Sequence, residues 1–94
     1  MSDPQSLDAR RAGLLAQVTD LRRALDELSE DYRALPASGL LLDTEGIGAL
    51  TTPAYCVAGA REVFEEALIE LDAAIDAIGR AGNYTSRLRL AVFD

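Results

Sequence analysis

The side chains best placed to do chemistry are carboxylates. Glu62, Glu66 and Glu70, and again Asp72 and Asp76, recur four residues apart, a spacing that stacks them along one side of a helix. Inward-facing carboxylates of this kind can hold a pair of metal ions, but such a centre also draws on a Glu-x-x-His pattern. The chain has no histidine. These residues also lie off the apolar stripe described below, so they read as a solvated acidic face. Cys56 falls in the first turn after Pro53, where a helix dipole favours a thiolate. No general base stands near it in sequence, and the expectation is a small packing residue. Asn83-Tyr84-Thr85 has the form of a glycosylation acceptor, which has no meaning without a secretory signal ahead of it. No nucleophile-elbow or phosphate-cradling glycine pattern occurs. The sequence therefore predicts no catalytic residue, no cofactor, no metal and no enzymatic activity.

Composition narrows the remaining classes. Ninety-four residues, 49% hydrophobic and 27% charged, suit one small globular domain. A chain of this size buries a modest core, and many helical proteins so small complete it by oligomerising. The net charge of −7 argues against nucleic acid, which needs a basic surface, and against anionic lipid headgroups. No apolar run approaches the ~20 residues that cross a bilayer. Met1-Ser2-Asp3-Pro4-Gln5 lacks the basic-then-apolar character of a cleavable secretory signal. Synthesis and first folding are expected in the cytoplasm, with signal-peptide-independent export or assembly into a particle both left open. A lone cysteine makes no internal disulfide. Every basic residue is arginine, which fits the codon usage of a GC-rich, actinobacterial type of genome.

Two seven-residue repeats must position all of this. Leu14, Val18, Leu21, Leu25, Leu28, Tyr32 and Leu35 alternate spacings of four and three. Val57, Phe64, Leu68, Leu71, Ile75 and Ile78 keep the same rhythm, with Arg61 in the one missing slot. Each repeat places apolar side chains on one narrow stripe of a helix, to be buried against another helix. The fold class expected is all-α, an antiparallel helical hairpin forming a single domain over 1–94. Helix one spans 4–35, opened by Asp3-Pro4 and closed ahead of Pro36. Helix two spans 53–82, opened by Thr52-Pro53 and weakened at Gly79 and Gly82-Asn83. Ala60, Ala67, Ala74 and Ala81 recur every seven residues beside the second stripe, widening its apolar face enough for two neighbours.

The connection, 36–52, is long for a helical hairpin. It is also apolar, with Leu40, Leu41, Leu42, Ile47 and Leu50 among Gly39, Gly46 and Gly48. It either folds as a short helical turn over the end of the bundle or binds a partner. The tail, 83–94, is equally two-sided. Residues 87–92 alternate as a strand would, which without an internal ladder partner would pair with another molecule. Tyr84, Leu88 and Val92 also fit a third short helix or a packed tail. Arg11 and Arg61 occupy slots the repeats would give to hydrophobes. They set register through carboxylate partners, or they pack the stem and leave the charge in water.

Small, acidic two-helix chains of this length resemble the actinobacterial type VII (ESX) secretion substrates and their associated small helical-hairpin proteins. Pro53-Ala54-Tyr55-Cys56, opening the second helix, is similar to one ESX-associated branch, and the likeness covers residues 5–82 mostly as architecture. The Trp-x-Gly turn of that superfamily is absent, and Tyr84 is followed four positions later by Leu88 where its export signal has Asp or Glu. The resemblance implies a non-enzymatic, ESX-substrate-like interaction protein in a homo- or hetero-oligomeric bundle. The expected interface sets Leu14, Val18, Leu21, Leu25 and Leu28 against Phe64, Leu68, Leu71, Ile75 and Ile78, within and between chains. Two other roles compete. One is a structural subunit of a phage or contractile particle, and the other is an antitoxin or immunity-type inhibitor using the acidic face. The partners expected are protein, either self or another helical chain, with no nucleic acid and no membrane.

Overall fold

A computed structural model describes residues 3–44 and 52–91. It contains two long helices packed against each other and, among the described residues, no strand. Helix α1 is Pro4–Ala34 and helix α2 is Pro53–Thr85. Both open as their sequences dictate. Asp3 accepts the Ser6 N–H at 2.8 Å through Oδ1 and caps the free donors of the first turn, with Pro4 leading the helix. Thr52 does the same for Tyr55 at 3.1 Å, ahead of Pro53. α1 ends in a 3₁₀ turn, Leu35–Ala37, that contains Pro36. The Ser38 N–H and hydroxyl both donate to the Leu35 carbonyl, at 3.1 and 2.6 Å. Gly39 then takes φ +83°, the left-handed geometry that turns the chain out of the helix.

Two features depart from the sequence reading. α2 continues through Gly82 and Asn83 to Thr85, three residues past the expected end at 82. Beyond it, residues 86–87 form a turn and 88–91 are irregular. The described part of the tail is thus neither the strand nor the third helix considered for 83–94. A lone strand would leave its whole ladder of backbone groups unpaired. Val92, and Gly46, Ile47, Gly48 and Leu50 of the connection, lie outside the described residues. The described part of the connection has no helix beyond the 3₁₀ turn; Leu42 is half-buried, whereas Leu40 and Leu41 are exposed.

Contacts divide the chain into two compact units. The terminal unit joins Met1–Arg22 to Glu70–Asp94, and the connection unit is Arg23–Ile69. In the terminal unit the helices run antiparallel, since Arg11 of α1 meets Ile78 and Thr85 of α2 while Arg22 meets Asp72. In the connection unit, Tyr32 stacks at a tilt on Phe64, with ring centroids 5.7 Å apart, and Arg61 reaches Glu30 at 3.3 Å. Leu68 is the one buried hydrophobic residue among those described, and Ser29 the one buried polar residue.

Candidate protein-interaction surface

The inner face of α1 is only partly the leucine stripe. Its half-buried or buried positions are Pro4, Asp8, Arg11, Leu15, Val18, Arg22, Leu25 and Ser29. They follow the four-and-three rhythm one column away from the leucines. Polar and apolar side chains are mixed along this seam, which is why the apolar pattern alone does not reveal it. Of the expected interface residues on α1, Val18 and Leu25 lie on the half-buried face. Leu14, Leu21 and Leu28 are exposed, with Leu14 and Leu21 at 55% and 56%. Leu7 is exposed too and extends the series at the same seven-residue interval. On α2, Leu68 is buried, and Phe64, Leu71, Ile75 and Ile78 are all half-buried. The carboxylates Glu62, Glu65, Glu66, Glu70, Asp72 and Asp76 are exposed.

Polar contacts fix the heights of the two helices. In the terminal unit, Arg11 Nε donates to Asp8 Oδ1 at 2.9 Å and to Thr85 Oγ1 at 3.1 Å, and Nη1 donates to the Ile78 carbonyl at 3.3 Å. The Thr85 hydroxyl donates in turn to Asp8. Arg11 is therefore bound by partners on both helices rather than extended into water. Its guanidinium passes so close to Gly82 that a Cβ there would stand 2.7 Å from Arg11 Cζ. The glycine that looks like a helix terminator in the sequence is the gap that admits the arginine. Arg22 makes a two-pronged bridge to Asp72, at 2.9 and 3.3 Å. In the connection unit, Glu30 takes both Arg33 and Arg61, at 2.7 and 3.3 Å, while Arg61 Nε is buried with no partner among the described residues. Partly exposed pairs of this kind contribute at most about 1 kcal/mol each. They select register more than they stabilise.

Asp8 illustrates the electrostatics. The Thr85 hydrogen bond first, and the Arg11 bond second, hold its carboxyl below the ordinary value of 3.8. A folded value below the unfolded one means the contact stabilises fully above about pH 3.8 and is lost as pH falls through the lowered folded value. An NMR titration should therefore leave the Thr85 and Arg11 resonances unmoved from neutrality down to about pH 5 and shift them only in stronger acid. Asp8→Asn should abolish the acid step, and a step near neutral pH in the unmodified chain would contradict the assignment.

Other surfaces offer less. A cavity of about 330 Å³ in the connection unit is lined by Tyr32, Leu35, Leu42, Val57 and Phe64, with the free Cys56 beside it. Among the described residues no group of three or more His, Cys, Asp or Glu could hold a metal ion. No helix among them is long and apolar enough to cross a membrane. What stands out is the set of exposed leucines on α1, Leu7, Leu14 and Leu21 in the terminal unit and Leu28 in the connection unit. Comparison with protein-family models, with curated proteins and with solved structures finds no match to this chain.

Proposed function

We propose that this chain is a non-enzymatic helical interaction protein, ESX-substrate-like in plan, that completes its core by docking another helical surface on α1. The observation that supports this is the exposed series Leu7, Leu14, Leu21 and Leu28, set beside an interior whose one buried hydrophobic residue among those described is Leu68. Burial of apolar area is the main force holding small helical domains together, at roughly 25 cal/mol per Å². Large apolar side chains left in water at a regular interval along one side of a helix forfeit that force and mark a contact surface. The exposed carboxylates of α2 favour a second reading, an inhibitor of a basic partner, whose capture would weaken steeply with salt.

Native mass spectrometry on the protein affinity-isolated from its own host tests the proposal. A defined complex, of chains with each other or with a stoichiometric helical partner, is the expected result. A folded 10.1 kDa species alone, at every concentration, would overturn it.

A further inference from the structure

Whatever docks on α1, we infer that the last turns of α2 and the tail behind them, residues 79–91, open and close as one segment, latched to α1 by Arg11. The segment has little else to hold it. Gly79, Gly82 and Asn83 each disfavour a helix relative to alanine. Past Ile78 no described large apolar side chain is even half-buried, since Tyr84, Leu88 and Leu90 are all exposed. The apolar burial that fixes α2 at Leu71 and Ile75 therefore stops at Ile78. α2 also lacks the usual closing devices of a helix. None of its glycines takes the left-handed geometry that commonly ends one; among the described residues only Gly39 does. Its last turn carries no basic residue to meet the negative end of the dipole. Arg80, just before that turn, is bonded to Asp76 at 2.7 Å.

Arg11 supplies from α1 what α2 lacks. Its guanidinium donates to the Ile78 carbonyl at 3.3 Å and to the Thr85 hydroxyl at 3.1 Å, spanning the turns that follow the apolar seam. Asp8 holds the guanidinium from its own helix at 2.9 Å and accepts the Thr85 hydroxyl as well. Gly82 leaves the room, since a Cβ there would meet Arg11 Cζ at 2.7 Å. The guanidinium could swing away from such a Cβ, but only by giving up these bonds. Beyond Thr85 the chain turns, with the Arg87 and Leu88 N–H groups donating to the Tyr84 and Thr85 carbonyls. Arg89 and Leu90 then come beside the first turn of α1, at Asp3, Pro4 and Gln5. A segment held by one polar cluster, with no described apolar side chain buried, opens at a lower free energy than the packed hairpin. The latch thereby decides whether the tail lies at the start of α1 or leaves it.

Hydrogen exchange of the full chain, read residue by residue by NMR, tests the latch. In the parent chain the amides of 82–88 should be protected, though less than those of 71–78. Arg11→Met keeps an apolar stem and removes the hydrogen bonds. It should speed exchange at 82–88 by about tenfold, roughly the worth of a charge-assisted bond, and leave 71–78 unchanged. Thr85→Val, which cuts the latch from the α2 side, should give the same local pattern. Gly82→Ala added to Arg11→Met should restore protection, since alanine favours the helix and no guanidinium stands in its way. In the parent chain Gly82→Ala should gain much less, because the new Cβ displaces the latch. Parent amides at 82–88 that exchange as in an unfolded peptide overturn the inference. So does an Arg11→Met chain whose exchange there is unchanged, or is speeded evenly along α2. An equal gain from Gly82→Ala with and without Arg11 also overturns it, because the guanidinium would then not depend on the gap.

Discussion

Leu68→Ala should leave a chain that no longer unfolds cooperatively. Leu68 is 4% exposed, the one buried hydrophobic residue among those described, so truncation removes the centre of the interior rather than one of many contacts. Losses of this kind cost about 2–5 kcal/mol, against a total of roughly 5–15 kcal/mol for ordinary domains. Urea melts followed by circular dichroism should show the transition flattened or moved to very low denaturant. Leu41→Ala, at a fully exposed leucine of the connection, should stay within about 0.5 kcal/mol of the parent. Equal effects at the two positions would contradict the burial pattern.

Leu14→Asp combined with Leu21→Asp should separate associated chains while leaving both helices formed. The two side chains are more than half exposed in the single chain, so the substitutions disturb little inside it. In the complex they would desolvate carboxylates against apolar neighbours at a cost of several kcal/mol. Each 1.4 kcal/mol is a factor of ten in affinity, so the expected weakening is at least about a hundredfold. Light scattering after size exclusion, alongside far-ultraviolet circular dichroism, reads mass and helicity together. Should the helicity collapse along with the mass, the leucines would belong to the internal packing instead.

These two outcomes separate positions that look alike in the sequence. The seven-residue repeat places Leu14, Val18, Leu21, Leu25 and Leu28 on one stripe, but a stripe that wide has two flanks. One flank, shared with Asp8, Leu15, Arg22 and Ser29, turns toward α2. Hydrophobicity alone prefers the leucine flank, because polar residues occupy more than half of the other. What decides is pairing across helices, such as Arg22 with Asp72, and no reading of one helix by itself can supply that.

Local chemistry was legible where it acts locally. Asp3-Pro4 and Thr52-Pro53 cap and open the helices because the cap and the ring act within one turn. Pro36 stops α1 for the same reason. The end of α2 was not legible. Gly79, Gly82 and Asn83 have the intrinsic preferences of a terminus, yet Arg11, some seventy residues away in sequence, needs the space at Gly82 and binds Thr85 one turn on. Contacts of that range override propensity. The chemistry of the acidic rows followed from composition in a simpler way, since carboxylates on the outer face of α2 remain in water.

Sedimentation equilibrium of the purified chain, over a wide concentration series, bears most directly on whether the leucine face of α1 is meant to be covered. The account predicts a mass above that of the 10.1 kDa chain, for the chain alone or for the complex isolated from its host, falling toward one chain for the Leu14→Asp/Leu21→Asp variant with its helices intact. A wild-type chain that stays at 10.1 kDa both across the whole series and as isolated from its host, and unfolds cooperatively at a temperature independent of concentration, would contradict it.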